Sequence, residues 1–367
     1  MAASSSLRRR QVLARGVAAL GLLAAPNVVL AQTRTVRMVS VWGRGFPIVG
    51  ASAQRLAERL TAITDGALRV ELFAAGELGS PGEAHARAGA GEAELYHGVE
   101  YFWAAKNPAF HLFSGVPFGL APQELLGWLN GPGAAHWDAI QAPFNIKPFS
   151  AGVLAGGLGL WSNRKLESAA DFKGLKVRSS GMTRTVLKSM GADARPISFA
   201  RLASALSIGA LDAAEWFGPW ADPQGEISAA TKYLYGPPVL RPALGISVGL
   251  NLPFWFSLSD SQRLAFRTVF EAESQSLLLT TSAENARLLE QLKQTGQGRK
   301  VRELDRDVLT AIGRRSGEVL RETMDGDAEA SAVLNDFLNF RSESFREARY
   351  GASGFLKSRE LPFPYAQ

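Results

Sequence analysis

Aromatic residues grouped behind predicted strands are the first candidates for a binding site in this sequence of 367 residues. Rings that line a cleft bind small molecules well, because they offer a broad apolar surface with few polar atoms. The rings in question are Trp42, Tyr101-Phe102-Trp103, Trp216-Phe217 and Trp220. The alternative is that they belong to the core, where most large apolar side chains are buried.

Arg178 ends the segment Leu175-Lys176-Val177-Arg178, which is predicted to be a buried strand. An unpaired charge in such a place costs several kcal/mol, so we expect something anionic to meet it. A planar guanidinium can hold a carboxylate through two parallel hydrogen bonds. The sequence leaves two interpretations open, a ligand carboxylate and an internal ion pair with Asp or Glu.

Signatures of metal and nucleotide enzymes are missing from the chain. There is no Gly-x4-Gly-Lys-Ser/Thr loop and no His-Glu-x-x-His motif. The absence of cysteine excludes thiolate metal sites and cysteine nucleophiles. The four histidines, His85, His97, His111 and His136, form no pair at helical metal-ligand spacing. We therefore expect a binding protein with no catalytic residues and no cofactor.

Residues 1–31 have the three parts of a secretory signal peptide, with Arg8-Arg9-Arg10, the apolar run Val17 to Leu23, and an ending at Ala31. The paired arginines followed by an apolar run match the twin-arginine export signal. The segment contains four arginines and no acid, so its removal lowers the formal charge from +6 to +2. The remainder has no dense basic block, which argues against nucleic acid as a partner. We expect export to the periplasm by the twin-arginine route.

Strand-like and helix-like segments alternate from Thr35 onward, which predicts an α/β fold. A first set of elements starts at Thr35, and a second set starts near Leu160. Ser259-Asp260-Ser261-Gln262 is a Ser-x-x-Gln capping box, and the helix that it opens is expected to run to about Thr295. A helix of that length is typical of a spine joining two lobes or of a partner-facing element.

Several segments resemble the solute-binding proteins of TRAP (tripartite ATP-independent periplasmic) transporters, in both order and spacing. The most characteristic are Phe172 to Arg178, Met190-Gly191-Ala192 and Ala205 to Glu215. Others are similar to the branch that binds 2-oxo acids, namely Lys106 to Phe110, Val116 to Gly119, Ala142 to Asn145, Glu215 to Trp220 and Ala230 to Tyr233. The resemblance extends from about Arg37 to Phe345.

The resemblance implies roles for individual residues. Arg178 matches the arginine that binds the ligand carboxylate, and Tyr101-Phe102 matches an aromatic pair at the cleft. Glu215 and Trp216 match a pair beside the ligand that also contributes to a cation site. With Trp42, these residues form the expected binding site.

Two positions depart from the branch that binds 2-oxo acids. Gly157 stands where that branch has a glutamine touching ligand and cation, and Arg241 stands where it has a glutamate. Loss of an oxygen ligand and gain of a positive charge both disfavour a cation, which needs several oxygens and negative surroundings. We expect no metal, although one at Glu215 and Trp216 stays possible.

The family fold implies two α/β lobes that close on the ligand by a hinge. We expect residues 32–155 with 245–345 to form lobe I and its long helix, 156–244 to form lobe II, and 346–367 to be a loosely structured tail. The implied function is capture of a small carboxylate and its delivery to a membrane permease, by a monomer or homodimer. An exported enzyme with Glu215 as base and a ligand sensor that docks to a membrane receptor are the alternatives.

Overall fold

The computed structural model describes residues 33–222, 225–295 and 300–362. The predicted signal peptide, with its arginines and its cleavage after Ala31, lies outside these residues. Within the described ranges, no helix is both long and apolar enough to cross a membrane.

Short strands and helices alternate along the chain, as the sequence predicts. The strands are β1 (Arg34–Ser40), β2 (Leu68–Phe73), β3 (Leu95–Gly98), β4 (Ile146–Ala155), β5 (Leu160–Ser162), β6 (Lys176–Arg178), β7 (Asp193–Arg195), β8 (Ala213–Glu215), β9 (Tyr233–Gly236), β10 (Ala243–Asn251) and β11 (Val301–Glu303). The helices are α1 (Val49–Ile63), α2 (Ala84–Ala90), α3 (Phe110–Phe113), α4 (Pro122–Asn130), α5 (Pro132–Gln141), α6 (Gly181–Ser189), α7 (Phe199–Ser207), α8 (Glu226–Ala229), α9 (Leu252–Ser257), α10 (Asp260–Gln294), α11 (Arg306–Met324), α12 (Ala328–Tyr350) and α13 (Ala352–Ser358).

The strands form two sheets, so the predicted two-lobed α/β architecture is confirmed. The first sheet has the order β2-β1-β3-β10-β4, and the second has the order β11-β9-β5-β8-β6-β7. In the second sheet, β6 is parallel to both β7 and β8, whereas β5 is antiparallel to β8 and β9. Parallel neighbours place their carboxyl ends at one edge of the sheet, where ligands usually bind in α/β folds.

Strands β4 and β10 connect the sheets. They pair antiparallel along their length, from Ala243 opposite Ala155 to Asn251 opposite Ile146. The second sheet begins only a few residues beyond Ala155, at Leu160. At this crossing the backbones are so close that a side chain on Gly156 would collide with the carbonyl of Pro242. Two adjacent strand ends are thus the expected hinge of the molecule.

Helix α10 begins and ends where the sequence predicts. The side chain of Ser259 accepts a hydrogen bond from the backbone N–H of Gln262, and the Gln262 side chain accepts one from the N–H of Ser259. The helix packs along β4 and α1 of the first sheet and also contacts the turn Pro219–Ala221 behind β8. It therefore lies against both lobes, as a spine would.

After α10, the chain does not follow the predicted lobe boundaries, because part of it joins the second sheet. The sequence predicts that residues 245–345 belong to lobe I, but β11 pairs with β9 at the edge of the second sheet. Val308 and Ile312 of α11 also belong to the apolar core of that sheet. The tail is more ordered than expected, because α12 continues to Tyr350 and α13 follows. Pattern within one element cannot reveal which sheet the element joins.

Candidate functional site

A cavity of about 1030 Å³ lies between loops that follow strands of the two sheets. Seven aromatic rings line it, from Trp42, Phe46, Tyr101, Phe102, Phe199, Trp216 and Phe217. The first four follow β1 and β3 of the first sheet, and the other three follow β7 and β8 of the second. Cavities of about 300 to 1,000 Å³ with apolar walls and a few polar groups are typical ligand sites.

Rings from opposite walls touch each other within this cavity. The ring centroid of Phe46 lies 5.4 Å from that of Phe199 and 6.1 Å from that of Trp216. Trp42 meets Phe217 edge-on at 6.5 Å. The hydroxyl of Ser180 also donates to the hydroxyl of Tyr101 at 3.2 Å, which joins the two walls by a polar contact. The two lobes are therefore in contact around the site.

Arg178, at the end of β6, lies against the rings that line the cavity. Its side chain is only 11% exposed. Its Nε donates to the carbonyl of Ile197 at 3.3 Å, and its Nη1 donates to the carbonyl of Glu215 at 2.9 Å. No described residue bonds to its Nη2, so the tip of the fork is available to an anion. Burial lowers the pKa of this guanidinium, which nevertheless stays charged at neutral pH.

Trp216 contacts two flat groups, the guanidinium of Arg178 and the ring of Phe199. The guanidinium carbon of Arg178 lies 4.4 Å from the centroid of the Trp216 ring, a cation–π arrangement. On the indole, Phe199 stacks with an interplanar angle of 10° at 5.4 Å. Both contacts fix the planes of the ring and of the guanidinium, which favours an oriented grip on a ligand.

Glu215 and Arg241 lie behind this wall rather than in it. They line a small separate cavity of about 20 Å³, which Trp216 and Gly157 also border. Nε and Nη2 of Arg241 donate to the two carboxylate oxygens of Glu215 at 2.6 and 3.1 Å. The hydroxyl of Ser179 donates to the same carboxylate at 3.1 Å. Burial by itself would raise the pKa of Glu215, but the charge and hydrogen bonds of Arg241 lower it overall.

Arg241 is nearly as buried as Glu215, with 7% of its side chain exposed. Its Nη2 also donates to the carbonyl of Ser180 at 3.0 Å, and its guanidinium carbon lies 5.6 Å from the Tyr101 ring centroid. Burial opposes the charge of Arg241, yet Glu215 raises its pKa overall. The pair is a fixed internal salt bridge that supports the cavity wall.

Gly157 follows the end of β4 and faces the long helix. A side chain there would collide with the side-chain amide of Asn285, and its N–H donates to the carbonyl of Phe217 at 3.2 Å. Asn285 donates to the carbonyl of Ala155 at 3.3 Å, and its Oδ1 is buried without a partner among the described residues. The absence of a side chain at 157 thus lets α10 approach the hinge.

The structure brings together five of the eight predicted site residues, Trp42, Tyr101, Phe102, Arg178 and Trp216, around the large cavity. Glu215, Gly157 and Arg241 support it from behind. Phe46, Phe199 and Arg184 also line the cavity, although they were not among the residues expected from the sequence. Arg184 lies in the first turn of α6, the helix that follows the strand ending at Arg178. This closeness along the chain is the one feature of the sequence that could have indicated it.

His111 lines the same cavity, although no pattern in the sequence distinguishes it from the other three histidines. Burial, followed by the positive charges of Arg241 and Arg184, lowers its pKa to about 4. It is therefore a neutral ring at neutral pH, able to donate or accept one hydrogen bond but not to bind an anion by charge.

Comparisons with known proteins identify the family of the chain. Residues 38–327 match the model of the DctP family, described as bacterial extracellular solute-binding protein, family 7. The monocarboxylate 2-oxoacid-binding periplasmic protein of a Nostoc strain is 29% identical over 350 residues, covering 92% of this chain and 95% of that one.

Two solved structures show the same fold. A TRAP solute-binding protein from Colwellia psychrerythraea, with bound calcium and pyruvate, superposes with a TM-score of 0.84 at 22% identity, covering 89% of this chain and all of that one. One from Bordetella bronchiseptica, with calcium and picolinate in one site of a dimer, gives a TM-score of 0.83 at 24% identity, covering 89% and 97%. The predicted family resemblance is confirmed: the chain belongs to the DctP family of extracellular solute-binding proteins of TRAP transporters.

Proposed function

We propose that the mature chain is a periplasmic receptor that binds a small carboxylate, foremost a 2-oxo acid, and delivers it to a TRAP membrane permease. The family supplies the class of function. The ligand class draws support from the Nostoc relative, named for 2-oxo acids, and from the pyruvate bound to the Colwellia protein. Export through the twin-arginine signal of residues 1–31 would place the receptor in the periplasm.

Arg178 is the observation that carries this proposal. It is a nearly buried guanidinium whose Nη2 has no partner among the described residues, at the edge of a ring-lined cavity. Its Nε and one hydrogen of Nη1 are fixed by backbone carbonyls, so its orientation is set before a ligand arrives. Preorganised donors bind an anion without the entropic cost of ordering a long side chain.

The aromatic walls make the grip stronger. When the lobes close, the rings exclude water from the guanidinium and the ligand carboxylate, and a charge pair gains strength in a medium of low dielectric. Trp42, Phe46 and Tyr101 belong to one wall, and Trp216 and Phe199 to the other. Closure about the β4 and β10 crossing would therefore complete the site from both sides.

A metal ion fits this site poorly. Both oxygens of Glu215 already accept hydrogen bonds from Arg241, whose positive charge would repel a nearby cation. Elsewhere in the described ranges, no group of three or more His, Asp or Glu side chains converges as metal ligands would. Calcium is present in the Colwellia and Bordetella structures, so this chain would have replaced the role of a cation by an internal guanidinium.

The enzyme alternative finds little support in the geometry. Glu215 is 2% exposed, paired with Arg241 and outside the large cavity, so it is badly placed as a general base. Gly245-Ile246-Ser247-Val248-Gly249 has the spacing of a nucleophile elbow, but it lies entirely within β10. An elbow needs a sharp turn from strand to helix. Ser247 is buried and donates to the carbonyl of Gly98.

A ligand screen tests the proposal. Purified mature protein is heated with pyruvate and other small carboxylates, and a true ligand raises the unfolding temperature because it binds only the folded state. Titration calorimetry then gives the affinity, and the recovered ligand is analysed for chemical change. Binding of unchanged 2-oxo acid supports a receptor. Turnover of the ligand, or indifference to every carboxylate, would contradict the proposal.

A further inference from the structure

The large cavity contains positive charge that the protein only partly neutralises. Three arginines line it, Arg44, Arg178 and Arg184, and none of the described residues in its lining is Asp or Glu. The charge of Arg44 is neutralised by Glu77, which does not line the cavity: Nε and Nη2 of Arg44 donate to the Glu77 carboxylate at 2.6 and 2.7 Å. Arg178 and Arg184 are left without an acid of their own.

The acid nearest to Arg178 belongs to another arginine. Glu215 receives both hydrogen bonds of the Arg241 fork, whereas Nη1 of Arg178 is 4.0 Å from its carboxylate. Arg241 and Glu215 therefore cancel each other, as do Arg44 and Glu77. Two guanidinium charges remain, those of Arg178 and Arg184, and one ligand carboxylate can neutralise only one of them.

Arg184 is placed to meet an anion. Its side chain is half-buried and forms no hydrogen bond or ion pair with any described residue, although its backbone belongs to α6. Ser180, Gly181 and Thr185 line the cavity beside it, so the amino-terminal turn of α6 faces the same space. Backbone N–H groups and the helix dipole add to the positive potential there.

The cavity is also large for the smallest 2-oxo acids. Its volume of about 1030 Å³ and its seven rings suit a ligand with an apolar body. A cavity of this size would be poorly filled by a three-carbon acid. It would be well filled by an acid whose two charged ends are separated by methylene groups or a ring.

We propose that Arg184 binds a second carboxylate of the ligand, so that the preferred ligand is an oxo acid with two carboxylates joined by an apolar segment. The first carboxylate occupies Arg178, as in the proposed function, on which this inference rests. Arg184 then determines specificity, since it binds the second carboxylate without contributing to the binding of the first carboxylate. A monocarboxylate still binds, but more weakly.

Matched ligand pairs test this inference by calorimetry. Each pair has the same carbon skeleton and differs by a methyl group in place of the second carboxylate: 2-oxovalerate with 2-oxoglutarate, 2-oxohexanoate with 2-oxoadipate, and 4-methylphenylpyruvate with 4-carboxyphenylpyruvate. In the unmodified protein, we expect the dianion of at least one pair to bind about tenfold more tightly or better. In Arg184→Gln that advantage should disappear, while the affinity for the monocarboxylate stays within about twofold.

Two controls separate local recognition from overall charge. Arg201→Gln removes the same charge from an exposed position on α7 that does not line the cavity, and it should leave the advantage of the dianion intact. Arg184→Lys keeps the charge and should restore part of the advantage. Circular dichroism establishes that each variant is folded.

Every outcome decides the inference. If monocarboxylates and dianions bind equally, if pyruvate binds and no dianion does, or if Arg184→Gln weakens both members of a pair alike, Arg184 does not recognise a second carboxylate. Those results leave the receptor function intact. Failure of all carboxylates, pyruvate included, would refute the proposed function and this inference together.

Discussion

Arg241 holds both carboxylate oxygens of Glu215 at 2.6 and 3.1 Å, although Glu215 ends β8 and Arg241 lies in the loop two residues before β10. Both side chains are almost completely buried. Burial of two charges is costly, and close two-pronged geometry is what offsets the loss of hydration. The result is a rigid internal pair directly behind Trp216, at the back of the ligand cavity.

This pair predicts that ligand binding is independent of added metal ions. Arg241 already supplies positive charge beside Glu215, so the Glu215 carboxylate is not free to coordinate calcium or sodium, and Arg241 repels either cation. We expect the dissociation constant of the best carboxylate to change by less than about twofold after dialysis against chelator in potassium buffer. Calorimetry before and after dialysis, and again with calcium restored, measures this. A large loss of affinity that is reversed by calcium would contradict the prediction.

Replacement of Arg178 should weaken carboxylate binding strongly. Loss of one partner of a desolvated charge pair typically costs about 2 to 5 kcal/mol, so Arg178→Ala should bind roughly 30-fold to several thousand-fold more weakly. Arg178→Lys should also bind clearly more weakly, because an ammonium cannot reproduce the planar fork. Calorimetry with the ligand identified by screening measures both variants.

The fold should survive either change at Arg178, because water can enter the cavity and solvate the groups left behind. Circular dichroism and urea unfolding serve as the control. Near-normal affinity in folded Arg178→Ala would show that this arginine is a structural partner of the nearby Glu215 carboxylate and not a ligand-binding residue.

The pH dependence of stability should reflect His97, which lies buried on β3. Burial lowers its pKa to about 3. As pH falls through 6.5, His97 binds a proton in the unfolded chain but stays neutral in the folded protein. The free energy of unfolding therefore decreases on acidification below about pH 6.5. For one such group, the loss between pH 7 and pH 5 is about 2 kcal/mol.

His97→Gln should therefore lose about 2 kcal/mol less than the unmodified protein between those two pH values. Urea unfolding at pH 7 and pH 5 measures the difference, and any constant cost of the substitution cancels. Glu100 has the opposite sign, since burial raises its pKa to about 7 and its contribution falls as pH rises, but it is present in both proteins. Equal losses in the two proteins would show that His97 is protonated readily in the folded state.

Replacement of both Arg9 and Arg10 by lysine should leave the precursor in the cytoplasm. The prediction rests on the paired arginines ahead of an apolar run, a pattern read by the twin-arginine export machinery. Cell fractionation and immunoblotting measure precursor and processed protein. Normal processing of the double mutant, or of the unmodified protein in a strain without that machinery, would indicate the general secretion route.

Local features of the chain were predictable from sequence. The capping box at Ser259 and the apolar spacing that follows it gave both ends of α10 within about one residue, because caps and helical periodicity depend on neighbours along the chain. Arg178 was placed at a strand end for the same reason. The clustering of rings behind strands selected Tyr101, Phe102 and Trp216, the family resemblance implied roles for them, and all three line the cavity in the structure.

Other features depend on contacts between distant residues. The sequence placed a positive charge at 241 and an acid at 215, but gave no sign that their side chains meet at 2.6 Å. Nor did it indicate that β11 joins the second sheet, or that Gly157 makes room for Asn285. Each of these follows from how two elements pack, which no pattern inside either element encodes.

The sequence by itself determined the α/β elements, the family and the position of Arg178 at a strand end, because propensity, capping and motif spacing are properties of consecutive residues. The tertiary structure alone decided which charges are neutralised. It paired Arg241 with Glu215 and Arg44 with Glu77, and it left Arg178 and Arg184 facing the cavity. Charge compensation acts over a few ångströms in space, and those distances are set only when the two lobes have packed.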